Sequence, residues 1–377
     1  MLNFKFIESD GELETVCKGL GKEKIIGVDL EADSMYCFKE KICLIQIAGK
    51  DQAFLVDPFL ISDFSPFVAL LENKELVKIF HGSDFDVRSI DREMGCRIEN
   101  LFDTEIACRF LNVRERGLGA LLKEHFNVFV DKKFQKVDWS RRPLKDDMIT
   151  YSVGDVAHLI ALHDRIKERL EKMNRLSWAK EEFEAQASVK YESNHQLPLF
   201  KKFKGAGKMD NRTLAILENL LQVRMDAAAK KDLPLFKIMS SQSLLALATL
   251  RPKAIDTMVS IRALSKKQAD MYGRLCQEAI SSALALSHGE LPSYPKIRLP
   301  RKSPQVLERI DILKKMREKL SVSLGMEPGF LINNNLISAI AFENPRTQAD
   351  LGRLDAMRNW QLEALGDEII KLLGKCS

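Results

Sequence analysis

The chain has no apolar run approaching the roughly 20 residues that span a bilayer, so no membrane-crossing helix is expected in its 377 residues. Its opening, MLNFKFIESDGELETV, turns acidic almost at once. It lacks a basic stretch followed by an apolar core and a small-residue cleavage site, so the expectation is a cytoplasmic protein. The seven cysteines, Cys17, Cys37, Cys43, Cys96, Cys108, Cys276 and Cys376, form no CxxC pair and have no histidine at zinc-binding spacing. A scattered, odd-numbered set in apolar contexts suits a reducing compartment, and all seven read as plain thiols. Strong charge of one sign is also missing, because the net is only +5.

What is present is an uneven distribution of that charge. Residues 1–204 hold 32 Lys+Arg and 35 Asp+Glu, a net of −3, while residues 205–377 hold 26 and 18, a net of +8. An acidic half joined to a basic half fits a protein whose second part attracts a polyanion, although an ordinary solvated helical surface gives the same counts. With 45% hydrophobic residues, the length is ample for two or three conventional cores.

Short β-rich runs at 24–30, 40–48, 52–56 and 76–80 alternate with longer helical patterns, which predicts α/β layering around a sheet. The run KICLIQIA follows the first strand so closely that a hairpin fits, and the sheet need not be purely parallel. Helical spacing continues to about residue 188. The next stretch, YESNHQLPLFKKFKGAGKMD, is polar with proline and glycines and reads as a linker. Helical patterns dominate from 209 onward, break at HGELPSYPKIRLPRKSP, and return in similar order, so two copies of one small bundle are expected.

Four acids and a tyrosine in the first half carry the chemistry. Asp29 and Glu31 follow the apolar run Ile25–Val28, and alternation along a strand puts residues i and i+2 on one face. Two carboxylates held side by side repel unless a proton or cation sits between them, and hard oxygen ligands suit Mg²⁺ or Mn²⁺. An acidic pair at a strand end is also a common solvated turn. Asp86 follows a third apolar run and a His-Gly-Ser turn, where a helix start is expected and an acid is often simply a favoured first-turn residue. Tyr151 and Asp155 lie four apart in a helical pattern, so a phenol and a carboxylate share one face. A packed tyrosine bonded to an aspartate is the plain alternative. His81 reads as a hydrogen-bonded turn histidine, and Asp103 with Thr104 as a helix start.

Taken in order, VDLEADS with KICLIQIA behind it, KIFHGSDFDVRSI, LFDTEIACRFL, KKFQKVDWSRRPL and YSVGDVAHLIALHDRI cover most of residues 24–166. In these motifs the chain resembles the tyrosine-bearing branch of the DEDD exonuclease superfamily, and within it the bacterial ribonuclease D family. That resemblance implies an α/β ribonuclease H-like exonuclease domain, a mixed sheet flanked by helices, over residues 1–190. It also implies two small all-α HRDC bundles at 209–290 and 303–377. The activity implied is a metal-dependent 3′-5′ exoribonuclease that releases nucleoside 5′-monophosphates from the 3′ ends of tRNA precursors and other structured RNAs. Carried over by motif, Asp29, Glu31, Asp86 and Asp155 would hold two divalent metal ions, Mg²⁺ or Mn²⁺. Tyr151 would aim the attacking water. The metal-site acid of the second motif is Asp86 rather than Asp84, because the family places its aspartate at the later position. Leu30, a candidate RNA contact, stands where many bacterial relatives have threonine; a backbone N–H is present with either, so the metal site is expected to survive and only contacts to the terminal nucleotide to differ. RNA is the expected partner, with no membrane and no obligate protein partner.

Between the second and third acidic motifs, the segment 131–144 interleaves Lys132, Lys133, Lys136, Arg141 and Arg142 with Phe134 and Trp139. Such a composition can bind phosphates and stack on bases, and Lys132, Lys133, Gln135, Arg141 and Arg142 are candidate RNA contacts. A surface loop with two anchoring aromatics is the other account. Two further functional readings remain at this point: a DNA-directed proofreading-type exonuclease, and a non-catalytic nucleic-acid-binding adaptor.

Overall fold

The computed structural model describes residues 2–192, 198–295 and 303–375. The chain divides into two units, one made of residues 1–31, 42–191 and 300–377, the other of residues 32–41 and 192–299.

The first unit is built on a six-stranded sheet of order β1-β4-β3-β2-β5-β6. The strands are β1 (Asn3–Ile7), β2 (Ile25–Ala32), β3 (Ile42–Ala48), β4 (Gln52–Val56), β5 (Val77–Phe80) and β6 (Leu101–Asp103). β1 runs parallel to β4, β2 to β5 and β5 to β6, whereas β3 and β4 are antiparallel, so the sheet is mixed as the sequence predicts. β3 is buried along its whole length, which is why ICLIQIA reads as a continuous apolar run rather than an alternating one.

Helices cover the sheet: α1 (Asp10–Leu20), α2 (Ser65–Leu71), α3 (Asp84–Met94), α4 (Thr104–Phe110), α5 (Leu118–Phe126), α6 (Asp146–Ala157), α7 (Leu159–Lys172) and α8 (Leu176–Ala187). α3 stops at Gly95, whose φ of 65° is the left-handed conformation that a glycine adopts without side-chain cost.

Each C-terminal module repeats one scheme. The first has α9 (Asn211–Lys231), α10 (Leu235–Ile238), α11 (Ser241–Leu250), α12 (Ile255–Ser260) and α13 (Lys266–Ala285). The second has α14 (Pro304–Leu324), α15 (Pro328–Leu331), α16 (Asn334–Glu343), α17 (Gln348–Leu351) and α18 (Asn359–Gly374). The first module owns its core, and Phe200, which the polar composition around it assigns to a linker, is buried inside that core. Residues 193–197 of the predicted linker and 296–302 of the predicted second boundary lie outside the described residues.

The second module packs its apolar face against the nuclease-like body. One continuous core joins Phe102, Phe110, Leu162, Ile166 and Phe183 to Leu313, Leu331, Ile337, Trp360 and Ile369. The Phe110 ring meets Phe330 at 4.9 Å and Trp360 at 5.2 Å, both edge-on. Arg175 reaches the carbonyls of Phe110 and Leu324, tying α4 to the end of α14. Among the described residues, no helix is long and apolar enough to cross a membrane, and the six described cysteines are free.

Candidate active site

β2 sets the first two acids. With alternating sides along the strand, Leu30 is buried in the core behind the sheet and Asp29 and Glu31 emerge together on the other face. β2 comes close to a helix at Gly27, where a β-carbon would lie only 3.0 Å from Leu159 Cβ and 3.2 Å from its Cδ1. A side chain would hold α6 and α7 away from the strand; glycine lets them settle against it. That approach delivers Asp155, on the last turn of α6, to the two β2 carboxylates.

Asp29, Glu31 and Asp155 each present an oxygen within 4.8 Å of the others, and they are the metal-competent group found among the described residues. Asp86 joins them electrostatically: its charge acts on Glu31, and that of Asp29 acts on Asp86. The turn that places Asp86 is pinned from β6. The Asp103 carboxylate accepts the Gly82 N–H at 3.0 Å, and the Ser83 N–H and hydroxyl, each at 2.7 Å. It also caps α4 by accepting from Glu105 N at 2.8 Å and Ile106 N at 3.1 Å. Gly82 has φ of 71°, so the His-Gly turn needs its glycine. His81 stays neutral through burial and bonds Thr104 Oγ1 at 2.9 Å, which is the turn role its context suggests. Asp84 is exposed and bonds Arg88 at 3.0 Å, away from the acids, whereas Asp86 is buried.

Crowding four carboxylates in a half-buried pocket makes their ionised forms costly. Burial raises Asp29 to about 7, and the Leu30 N–H beside it pulls the other way. Glu31 rises to about 10, through burial first and then through the charges of Asp29, Asp155 and Asp86. Burial likewise lifts Asp86 and Asp155 well above the ordinary carboxylate range. An all-oxygen donor set whose members reject one another's charge is the chemistry that hard divalent cations satisfy, so the residues fit the metal that the sequence motifs imply.

Tyr151, one turn before Asp155 on α6, sits beside its carboxylate, close enough for that charge to act on the phenol. Burial and the surrounding carboxylates push the phenol upward, so it keeps its proton and serves as a donor and acceptor rather than a base. Its ring is wedged against Phe134 at 5.1 Å and Trp139 at 6.1 Å. These two aromatics are 7% and 2% exposed, so the stacking platform read from the sequence is instead an anchor that holds segment 131–144 against Tyr151.

The cations of that segment have different occupations. Lys133 lies over the Phe134 ring at 4.7 Å and pairs with Asp131 at 3.2 Å, still largely exposed. Gln135 is exposed, and Arg141 is exposed with a bond to Asp138 at 3.1 Å. Arg142 is turned inward: its guanidinium grips Asp57 at 2.5 and 2.9 Å and donates to the carbonyls of Cys43, Trp139 and Arg141. Those bonds make it a structural clasp rather than the phosphate contact its sequence context suggests. The Lys132 side chain lies outside the described residues. Sequence reasoning missed the Asp57–Arg142 clasp and the Gly27 approach. The only signal for the clasp was an aspartate at the end of a buried strand, opposite no visible cation.

Residues 4–171 match the family model described as 3′-5′ exonuclease, and residues 213–280 and 306–373 match that of the HRDC domain. The chain is 25% identical to the ribonuclease D of Pseudomonas paraeruginosa, covering 98% of this chain and 97% of that one. With the ribonuclease D of Nitrobacter hamburgensis the identity is 26%, covering 97% and 94%. In fold the chain matches the crystal structure of Escherichia coli RNase D, described as an exoribonuclease involved in structured RNA processing. That match has a TM-score of 0.75 at 22% identity and covers 99% of each chain.

Proposed function

Starting from a chain that is a 3′-5′ exoribonuclease of the ribonuclease D type, we propose that it removes nucleoside 5′-monophosphates one at a time from the 3′ ends of tRNA precursors and other structured RNAs. Two divalent ions, Mg²⁺ or Mn²⁺, would be held by Asp29, Glu31, Asp86 and Asp155. The observation that carries this reading is the meeting of Asp29, Glu31 and Asp155 within 4.8 Å, with Tyr151 beside the last of them.

Bound cations would supply charge neutralisation and Lewis acidity at the terminal phosphodiester. The side chains then have separate tasks. Tyr151 keeps its proton and points its hydroxyl hydrogen toward Asp155, which leaves a phenol lone pair to accept a hydrogen bond from the attacking water and fix its approach to phosphorus. Water adds to phosphorus as the bond to the 3′ oxygen of the preceding nucleotide breaks, and that oxygen leaves as a hydroxyl. Asp29 and Glu31 share one face of β2, so they address the same phosphate together. The Leu30 N–H, between them in sequence, is a candidate contact for the terminal nucleotide, and Lys132, Lys133, Gln135 and Arg141 are candidates for the strand behind it. Free, mostly buried thiols suit a cytoplasmic setting.

The test is a product ladder on a 3′-extended tRNA and on a matched DNA strand, with and without EDTA. Stepwise, chelator-sensitive release of 5′-monophosphates from RNA is expected, lost in Asp155→Ala. Full activity in EDTA, or an undiminished Asp155→Ala ladder, would defeat the assignment; equal turnover of DNA would defeat the RNA preference.

A further inference from the structure

The two helical modules carry the same arginine in different surroundings. α9 and α14 are each 21 residues long, and Arg224 and Arg317 are both the fourteenth residue. Each donates from Nη1 to the carbonyl that ends the next short helix, Met239 O at 3.4 Å and Ile332 O at 3.3 Å. In the second module the charge is answered: Arg317 donates to Asn334 Oδ1 at 2.9 Å and pairs with Glu318 at 3.2 Å. In the first module Met225 stands where Glu318 does, and Ser241 where Asn334 does. Arg224 therefore keeps a buried Nε with no partner among the described residues, and burial alone depresses its basicity, with no carboxylate to restore it.

A partly buried guanidinium with no carboxylate beside it and an Nε that finds no acceptor is costly to a fold. Here it lines a cavity of about 600 Å³, together with Lys202, Lys204 and the first two residues of α11, Ser241 and Gln242. The rest of the lining is largely apolar, with Phe203, Leu221, Leu235 and Leu245. A planar guanidinium with the Lys204 ammonium in the same lining suits a phosphate, and the ten-residue helix adds the positive end of its dipole. The apolar lining suits a flat ring.

We propose that this cavity binds a nucleotide unit, its phosphate on Arg224 and Lys204 and its base against Phe203 and the leucines. The proposal rests on the chain being an RNA-degrading enzyme, and it gives the first helical module a site that the second has closed by self-neutralisation.

The experiment uses the full chain in EDTA, so that nucleotide binding is read without turnover, by isothermal titration with AMP, inorganic phosphate and a 5′-phosphorylated RNA octamer. AMP is expected to bind at least tenfold more tightly than phosphate. Arg224→Met should weaken AMP or octamer binding tenfold or more, and melt no lower than the parent, because it removes an unpaired buried charge. Met225→Glu, which imports the second module's arrangement, should do the same while keeping the arginine. Loss confined to AMP assigns the site to free mononucleotide, and loss extending to the octamer assigns it to the strand. Unchanged binding of both ligands in both variants overturns the proposal, as does equal affinity for phosphate and AMP. Mononucleotide release by the parent in Mg²⁺ is scored separately, so failure of the activity and failure of the cavity are told apart.

Discussion

Removing the cations should make the protein less stable as pH rises from 6 to 8, and restoring them should reverse the trend. Two carboxylate charges no more than 4.8 Å apart repel by about 3 kcal/mol or more at an effective dielectric near 20. The metal-free cluster therefore keeps protons, with Asp29 raised to about 7 and Glu31 to about 10. A carboxylate whose folded pKa exceeds its unfolded value stabilises the fold fully below the unfolded pKa and loses that contribution as pH climbs through the folded one. The window here opens near pH 4, where unfolded carboxylates titrate, and runs past 8 because Glu31 still holds its proton there. Each retained proton costs about 1.4 kcal/mol per pH unit, so one of them costs about 2.7 kcal/mol between pH 6 and 8. At about 2–4 °C per kcal/mol for a body of this size, the melting temperature in EDTA should fall by about 5–10 °C. Mn²⁺ or Mg²⁺ at a hundred times its dissociation constant returns about 2.7 kcal/mol, and more at pH 8 than at pH 6, because fewer protons must be displaced. Thermal melts of the parent and Asp29→Asn at both pH values, with EDTA or Mn²⁺, isolate the cluster by difference. Asp29→Asn should melt higher than the parent in EDTA at pH 8 and gain less from metal. The reasoning fails if the two proteins show the same pH slope and the same gain.

Tyr151→Phe should lower kcat by about 10²–10³-fold with KM within a few-fold; an unchanged kcat would remove the phenol from water positioning. Gly27→Ala must push Leu159 outward by a few tenths of an ångström. It should cost about tenfold or more in kcat/KM for little stability, and a variant equally active but much less stable would contradict this. Arg142→Ala leaves the 6%-exposed Asp57 without its cation and should lose about 2–4 kcal/mol in denaturant unfolding; parent-like stability would deny the clasp. Lys133→Ala should weaken RNA binding at moderate salt more than it slows turnover at saturation, and identical binding curves would place that lysine off the strand's path.

The four strands with strong apolar runs were readable because burial on both faces writes itself into composition. β1 was not, since Asn3 to Lys5 on this edge strand are exposed and only Ile7 is deeply buried. β6 was not either, because three residues are too few for a period. The candidate acids were nameable from local context, but their meeting was not. It depends on the missing side chain of Gly27 and on Asp103 gripping the Gly82–Ser83 turn, contacts between residues remote in the chain. The same distance misled the reading of Arg142. Its partner Asp57 lies 85 positions earlier, and composition alone treats every cation in segment 131–144 alike. Phe134 and Trp139 looked like base platforms for a related reason, because an aromatic among lysines carries no mark of which way it faces.

The shared core of Phe110, Phe330 and Trp360 changes what a minimal version of this enzyme would be. Ending translation after residue 299 would strip the cover from α4 and α8 and deprive Arg175 of the Leu324 carbonyl, leaving a sticky aromatic scar on an otherwise intact catalyst. A shorter enzyme that kept this core would have to be assembled from both ends of its gene, giving up the middle and with it the cavity on Arg224.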